Sequence, residues 1–269
     1  MHSRPPRRVK SPAITPRTPS PVLVPAPEAG TSQVVKAQLR LREMILAGEL
    51  SGGTRIAELT IVKKLGVSRT PIRAALMRLE QEGLIEGLPN GGYAVRIFSE
   101  RDVSEAIELR GTLEGLCARL AAERGAPPVV LNEARGCLRD IDTLLGAPAL
   151  DDLAFSGYVA LNERFHALLG EMAGSEVITK ELDRVMGMPF ASPSAFVVAQ
   201  ANSPHARDML MIAQDQHWQV LDAIENREGT RAESLMREHS RVARRNLREA
   251  VHNQGAHHVP GVRLIRKRS

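Results

Sequence analysis

The chain has 269 residues, 36 of them basic and 31 acidic, for a formal charge of +5, and 43% of its residues are hydrophobic. That is ordinary globular composition, long enough for two domains that each bury a core. It also excludes several classes. Aromatics make up only 3%, too few for the base-stacking platforms of RNA or single-strand readers. The two cysteines, Cys117 and Cys137, stand in no CxxC spacing, so neither a disulfide framework nor a cysteine zinc site is expected, and a reducing cytoplasm fits. No apolar run approaches the roughly 18–20 residues that span a membrane. The basic N-terminus lacks the apolar segment of a secretory signal.

The charge is unevenly divided. Residues 1–29 hold eight prolines and five basic side chains against Glu28, net +4, and read as a disordered basic arm. Residues 30–98 hold ten basic and six acidic side chains, again net +4. Residues 99–254 hold 17 basic and 24 acidic, net −7, and the tail 255–269 returns to +4. A basic first domain beside an acidic second one implies that only the first meets a polyanion. The tails are expected to add non-specific phosphate contacts at most, so trimming both should leave specific binding intact.

From Ser32 the pattern is helical, with Val34, Val35, Leu39, Ile45 and Leu46 on one face and Gly48 at its end. A short second helix, about Ala57–Leu65, closes at Gly66, which can take the left-handed conformation of a tight turn. Ser68 caps a third helix with Pro71 in its first turn and Ile72, Ala75, Leu76 and Leu79 inward. Two short apolar runs then flank Asn90-Gly91, the signature of a tight hairpin. Helix–turn–helix followed by a hairpin is a winged helix-turn-helix. Ser99 opens the second domain, where only helices follow, roughly 100–124, 128–145, 150–173, 175–187, 204–226 and 229–251. The expected fold is mainly α: a winged helix-turn-helix plus an antiparallel six-helix bundle.

The first turn of the third helix presents Ser68, Arg69, Thr70 and Arg73. An arginine fork suits guanine O6 and N7 together, and the helix N-terminus offers free N–H groups to phosphate. Gly91 and Gly92 let the hairpin backbone approach DNA closely. In the second domain, His166, His217 and His239 lie on apolar stripes of three different helices. A lone histidine on such a stripe is usually a satisfied core residue; three facing inward in one bundle make a natural divalent-metal site. Asn162 shares the face of His166 at i−4. Arg110 also lies on an apolar stripe and needs a partner, for which Glu114 at i+4 is one candidate.

The run Leu65-Gly66-Val67-Ser68-Arg69-Thr70-Pro71-Ile72-Arg73, continuing through Ala75-Leu76 and Leu79-Glu80 to Glu82-Gly83-Leu84, closely resembles the operator-binding domain of GntR-family transcriptional regulators. The helical remainder is similar to their FadR-type subfamily, whose ligand domain is called FCD. The resemblance spans about residues 33–250. It implies that Ser68, Arg69, Thr70 and Arg73 face the operator and that the wing tip reaches the minor groove. One departure is Ala74, where the family usually carries Glu. It further implies a divalent metal held by Asn162, His166, His217 and His239, with Asn162 standing where Asp is common. Zinc is the first choice; nickel and manganese are chemically admissible. Arg110 matches the arginine that grips a ligand carboxylate, with Tyr158 and Gln214 facing the same cavity. The composition of residues 189–216 is similar to the branch that responds to aromatic acids such as vanillate.

The resulting expectation is a cytoplasmic homodimeric repressor, not an enzyme, that leaves double-stranded operator DNA when a small carboxylic acid binds. An all-helical metal-dependent hydrolase is the alternative, although no His-Glu-x-x-His motif supplies a general base. A constitutive architectural DNA binder is a third reading, disfavoured by the acidic second domain.

Overall fold

The computed structural model describes residues 29–148, 150–197, 206–252 and 260–266. The arm 1–28 therefore lies outside the described residues, as do 253–259 and 267–269 of the tail. Helix α1, Ala29–Leu46, begins three residues before Ser32. Its buried stripe is Ala37, Leu41, Met44 and Ile45, while Val35 and Leu39 are exposed. The small Ala37 and the unbranched Met44 complete the i, i+4, i+7 row with Leu41, so the inward face is rotated from the one its β-branched residues suggested.

Helix α2, Glu58–Leu65, ends at Gly66 with φ +63°, as its turn requires. Helix α3, Arg69–Gln81, buries Pro71, Ile72, Ala75, Leu76 and Leu79 and packs on α1. Ser68 occupies the cap position with extended backbone, yet its hydroxyl makes no capping bond. A two-residue strand β1, Arg55–Ile56, precedes α2; β2, Ile85–Gly87, and β3, Tyr93–Val95, form the hairpin. The sheet order is β1-β3-β2, antiparallel throughout, with Arg55 opposite Ala94 and Ile85 opposite Val95. The positive-φ residues of the hairpin turn are Gly91 and Gly92, not Asn90 and Gly91. The bend thus falls where neither residue carries a Cβ.

Strand β4, Phe98–Ser99, leads directly into α4, Glu100–Arg124. Ser99 and Asp102 form a full capping box there, worth about 1 kcal/mol. Helices α5 (Pro128–Gly146), α6 (Asp152–Ala173), α7 (Glu176–Met186), α8 (Ala206–Glu225) and α9 (Gly229–His252) complete the bundle, close to the expected bounds. Helices α4 and α9 are in intimate contact. A Cβ on Gly111 would lie 2.4 Å from the Cβ and Oγ of Ser240, and one on Gly115 would lie 2.9 Å from Cγ of Arg237.

The two halves do not have wholly separate cores. One apolar cluster joins α1 and α3 to Val103 and Ile107 of α4, Phe190 and Phe196 of the α7–α8 connection, and Leu247 and Val251 of α9. Residues 260–266 enter the same cluster, contrary to the expectation that the tail stays outside the folded body. The Gly261 N–H donates to the Leu46 carbonyl at 2.9 Å. Val262, Leu264 and Ile265 are buried. Strand β5, Ile265–Arg266, pairs in parallel with β4. Three apolar residues in a polar tail give no periodicity to read; their partners lie far away in the chain. Phe190 adopts φ +66°, a left-handed conformation that costs a non-glycine residue about 1–3 kcal/mol.

Candidate metal centre and nucleic-acid interface

Three helices bring three imidazoles together. His166 from α6, His217 from α8 and His239 from α9 are buried, and one ring nitrogen from each lies within 4.8 Å of the others. Their hydrogen bonds set the tautomers. His166 Nδ1 lies 2.7 Å from Glu114 Oε1, and the ionised carboxylate can only accept, so Nδ1 carries the proton. His217 Nδ1 lies 3.2 Å from Gln214 Oε1. That amide is fixed in orientation because its nitrogen donates to the Leu138 carbonyl and to Asp142. His239 Nδ1 lies 3.0 Å from Gln216 Oε1.

Each imidazole therefore directs an Nε2 lone pair inward. The Nε2 atoms of His217 and His239 face each other at 3.1 Å, an acceptor–acceptor approach in these tautomers. His166 Nε2 is buried with no hydrogen-bond partner. A cation resolves both conflicts. The 3.1 Å spacing agrees with adjacent nitrogens on an ion at Zn–N distances, which lie about 3.0–3.4 Å apart for octahedral to tetrahedral geometry. The donor set fits a divalent metal, and the glutamate and glutamine behind the rings orient its ligands.

Electrostatics favour the neutral form of His217 and His239. Burial lowers His217 well below the ordinary imidazole value, and its histidine neighbours add to this. Burial likewise lowers His239, to about 3, with His166 contributing. At Glu114 burial acts to raise the carboxyl, but His166 and Arg110 outweigh it and hold it below the usual range. The sign for stability follows. A histidine with a depressed folded-state pKa takes up its proton on unfolding, so the metal-free protein should lose stability as pH falls from about 7 through 6.5 toward 3. Melting the chelated protein across that range checks this; a flat profile would contradict neutral buried rings.

Beside the rings, Arg110 is 1% exposed. Its Nε lies 3.5 Å from Glu114 Oε2, and its Nη1 donates to the Ala191 carbonyl at 3.2 Å. Glu114, the i+4 neighbour, thus serves Arg110 and His166 together. That link joins α4 to α6, so spacing within α4 could not reveal it. Arg110, Tyr158, Asn162 and His239 line one small cavity of about 20 Å³, room for about one water. Burial pushes the Tyr158 phenol above its ordinary value. Asn162 donates from its amide nitrogen to Ser194 Oγ at 3.1 Å. Gln214, expected on the effector side, instead braces His217 and does not line this cavity. Cys117 is buried and its thiol is pushed up to about 12, chiefly by burial, which makes it a packing residue.

The residues expected to read DNA form a separate, exposed face. Arg69, Thr70 and Arg73 are exposed at the start of α3, with the free hydroxyl of Ser68 beside them. Arg73 is held by Glu58 of α2 at 2.6 Å, so its support comes from the preceding helix rather than from position 74. The wing tip, Gly91 and Gly92, is exposed. Arg55 of β1 donates to the Gly91 carbonyl at 2.8 Å. Arg55 escaped the sequence reading because a two-residue strand carries no alternation signal.

Comparison with known proteins agrees with this layout. Residues 33–95 match the family "Bacterial regulatory proteins, gntR family" and residues 105–242 match the FCD domain. The chain is 34% identical over 141 residues to an HTH-type transcriptional regulator in the TAR-I ttuE-ttuC' intergenic region of Agrobacterium vitis, covering 52% of this chain and 81% of that one. It is 32% identical over 220 residues to an HTH-type transcriptional regulator of Streptomyces ambofaciens, covering 76% and 80%. Among solved structures, Escherichia coli McbR/YncC superposes with a TM-score of 0.55 at 18% identity, over 78% of this chain and 93% of that one; this likeness concerns the fold alone.

Proposed function

The chain belongs to the GntR family of bacterial regulatory proteins and carries an FCD domain behind its winged helix-turn-helix; from that premise we propose that it is a metal-containing, acid-responsive repressor. It is a DNA-binding transcriptional regulator rather than an enzyme, as its domains and relatives are, and the hydrolase reading falls with that. The proposal adds three things: a divalent metal, a carboxylate effector and a homodimer working in the cytoplasm. Among the described residues no helix is long and apolar enough to cross a membrane.

The observation that carries the proposal is the set of three buried imidazole nitrogens that converge within 4.8 Å of one another, next to a buried arginine. His166, His217 and His239 would hold the metal, zinc first. Asn162 would add its amide oxygen, since its nitrogen is engaged by Ser194. The metal supplies a Lewis-acidic position for an oxygen ligand when bound. Arg110 would take the opposite charge of the same carboxylate, with Tyr158 closing the cavity. Two ends of attraction make a carboxylic acid the fitting effector class. Thermal-shift screening of organic acids with and without chelator tests the reading; stabilisation by an acid that chelation does not diminish would sink it.

On the DNA side, Ser68, Arg69, Thr70, Arg73, Gly91 and Gly92 would contact a two-fold symmetric operator, one copy of the chain per half-site. Arg69→Ala and Arg73→Ala are each expected to lose about 1–3 kcal/mol of operator discrimination. A gel shift in which both variants bind the operator like the parent would reassign the reading helix.

A further inference from the structure

The segment between Met186 and Val197 is tied to the effector site and wedged into the domain junction at once. Two site residues hold it: Arg110 donates to the Ala191 carbonyl at 3.2 Å, and Asn162 donates to Ser194 Oγ at 3.1 Å. The residue before Ala191 is Phe190, in the left-handed conformation. Its ring meets Phe98 of β4 edge-on, with centroids 5.4 Å apart, and stacks on Phe196 at 6.0 Å. The far side of the ring rests on Gly261, where a Cβ would come within 2.5 Å of it. Phe98 is the strand residue that enters α4 and pairs with Ile265. One peptide unit therefore separates a contact of the effector site from a contact of the interdomain linker.

The cavity beside Arg110 is too small for a carboxylic acid. At about 20 Å³ it is closed on one side by Pro193 and Val197 of this same segment. The other walls of the cavity are helices of the bundle, so the irregular segment is the wall best placed to yield to an acid. The carbonyl of Ala191 is a neutral acceptor, whereas a carboxylate forms a charge-assisted bond roughly twice as strong. A left-handed non-glycine residue persists only where its surroundings enforce it.

We propose that the Ala191 carbonyl is a built-in placeholder for the effector's carboxylate on Arg110, and that its displacement unseats Phe190 from the junction between the two domains. The proposal rests on the reading of Arg110 as the carboxylate site. In the acid-free state the placeholder pins the segment, Phe190 fixes β4, and the reading domain is held in the orientation described here. Acid exchanges one acceptor for another on the same guanidinium. The segment is released, the strained residue relaxes, and the linker loses the ring that braced it.

The test uses the full chain loaded with zinc, acetate and benzoate as carboxylate probes, and a DNA fragment that the parent selects from a random pool. Hydrogen exchange of the amides in 188–197 is expected to speed about ten-fold at saturating probe, and Arg110→Gln should abolish both binding and acceleration. Phe190→Gly should still bind the probe, yet bind the DNA about ten-fold more weakly before any acid is added and respond no further to acid. A probe that binds through Arg110 without changing exchange in 188–197 overturns the placeholder and leaves the carboxylate reading standing. Failure of both probes to bind overturns that reading, and the placeholder with it. A Phe190→Gly chain that binds and releases DNA like the parent overturns the wedge.

Discussion

Ending the chain after residue 259 is expected to cost about 4.5–9 kcal/mol of stability. Val262, Leu264 and Ile265 are buried in the cluster that joins the two halves, and each buried aliphatic side chain contributes about 1.5–3 kcal/mol. The pairing of β5 with β4 and the bond from Gly261 to Leu46 would go with them. A loss of that size is about half the total stability of a typical domain. The shortened protein should therefore melt far below the parent, or fail to accumulate folded. Denaturant unfolding of chains stopped after 259 and after 266 measures it directly. Only the second should behave as the sequence composition suggested, losing basic charge and non-specific affinity and little else. Equal stability of the two would mean that residues 260–266 are not part of the fold.

His217→Ala is expected to abolish the stabilisation that zinc confers. At a zinc concentration about 100-fold above the dissociation constant, binding to the native state alone contributes about 2.7 kcal/mol, or about 5–10 °C in Tm for a chain of this size class. His217 sits at the centre of the cluster, 0% exposed, with His239 and Gln214 on its two nitrogens. Removing it leaves two imidazoles, and the chelator-sensitive part of Tm should vanish. In the absence of metal the variant is expected to melt somewhat below the parent, because a fully buried ring is gone and the Gln214 oxygen loses its partner. That second comparison separates loss of a ligand from loss of packing. A variant whose Tm still rises on zinc addition by the parental amount would remove His217 from the metal site.

The sequence carried the helices well because each has length, a periodic face and a clear stop. Helices α4 to α9 fall within a few residues of their expected ends, and Ser99 and Asp102 announce the domain entry. The three histidines were legible for the same reason: inward stripes on separate helices must converge in a bundle. What stayed hidden depends on partners distant in the chain. Strands β1, β4 and β5 have two residues each and exist only because something far away pairs with them. Glu114 reads as the i+4 neighbour of Arg110, but its bond to His166 spans two helices. The positive φ of Phe190 runs against every preference of an aromatic residue, so no local rule points to it. Gln214 faces the effector cavity only by what the family resemblance implies; its bonds to Leu138, Asp142 and His217 turn it the other way.

The contact of Gly111 and Gly115 with α9 is a pair of calipers. Arg110 and Glu114 ride on one jaw and His239 on the other, and the glycines make the room that the Ser240 and Arg237 side chains of the other jaw fill. Metal sites tolerate ligand errors of about 0.2 Å, far less than the width of a methyl group. Glu114 on one jaw holds His166 and the other jaw carries His239, so the spacing of two proposed ligands depends partly on two glycines that never approach them. An alanine at either position is expected to push α4 and α9 apart and so weaken zinc binding at the proposed site without replacing any of its ligands.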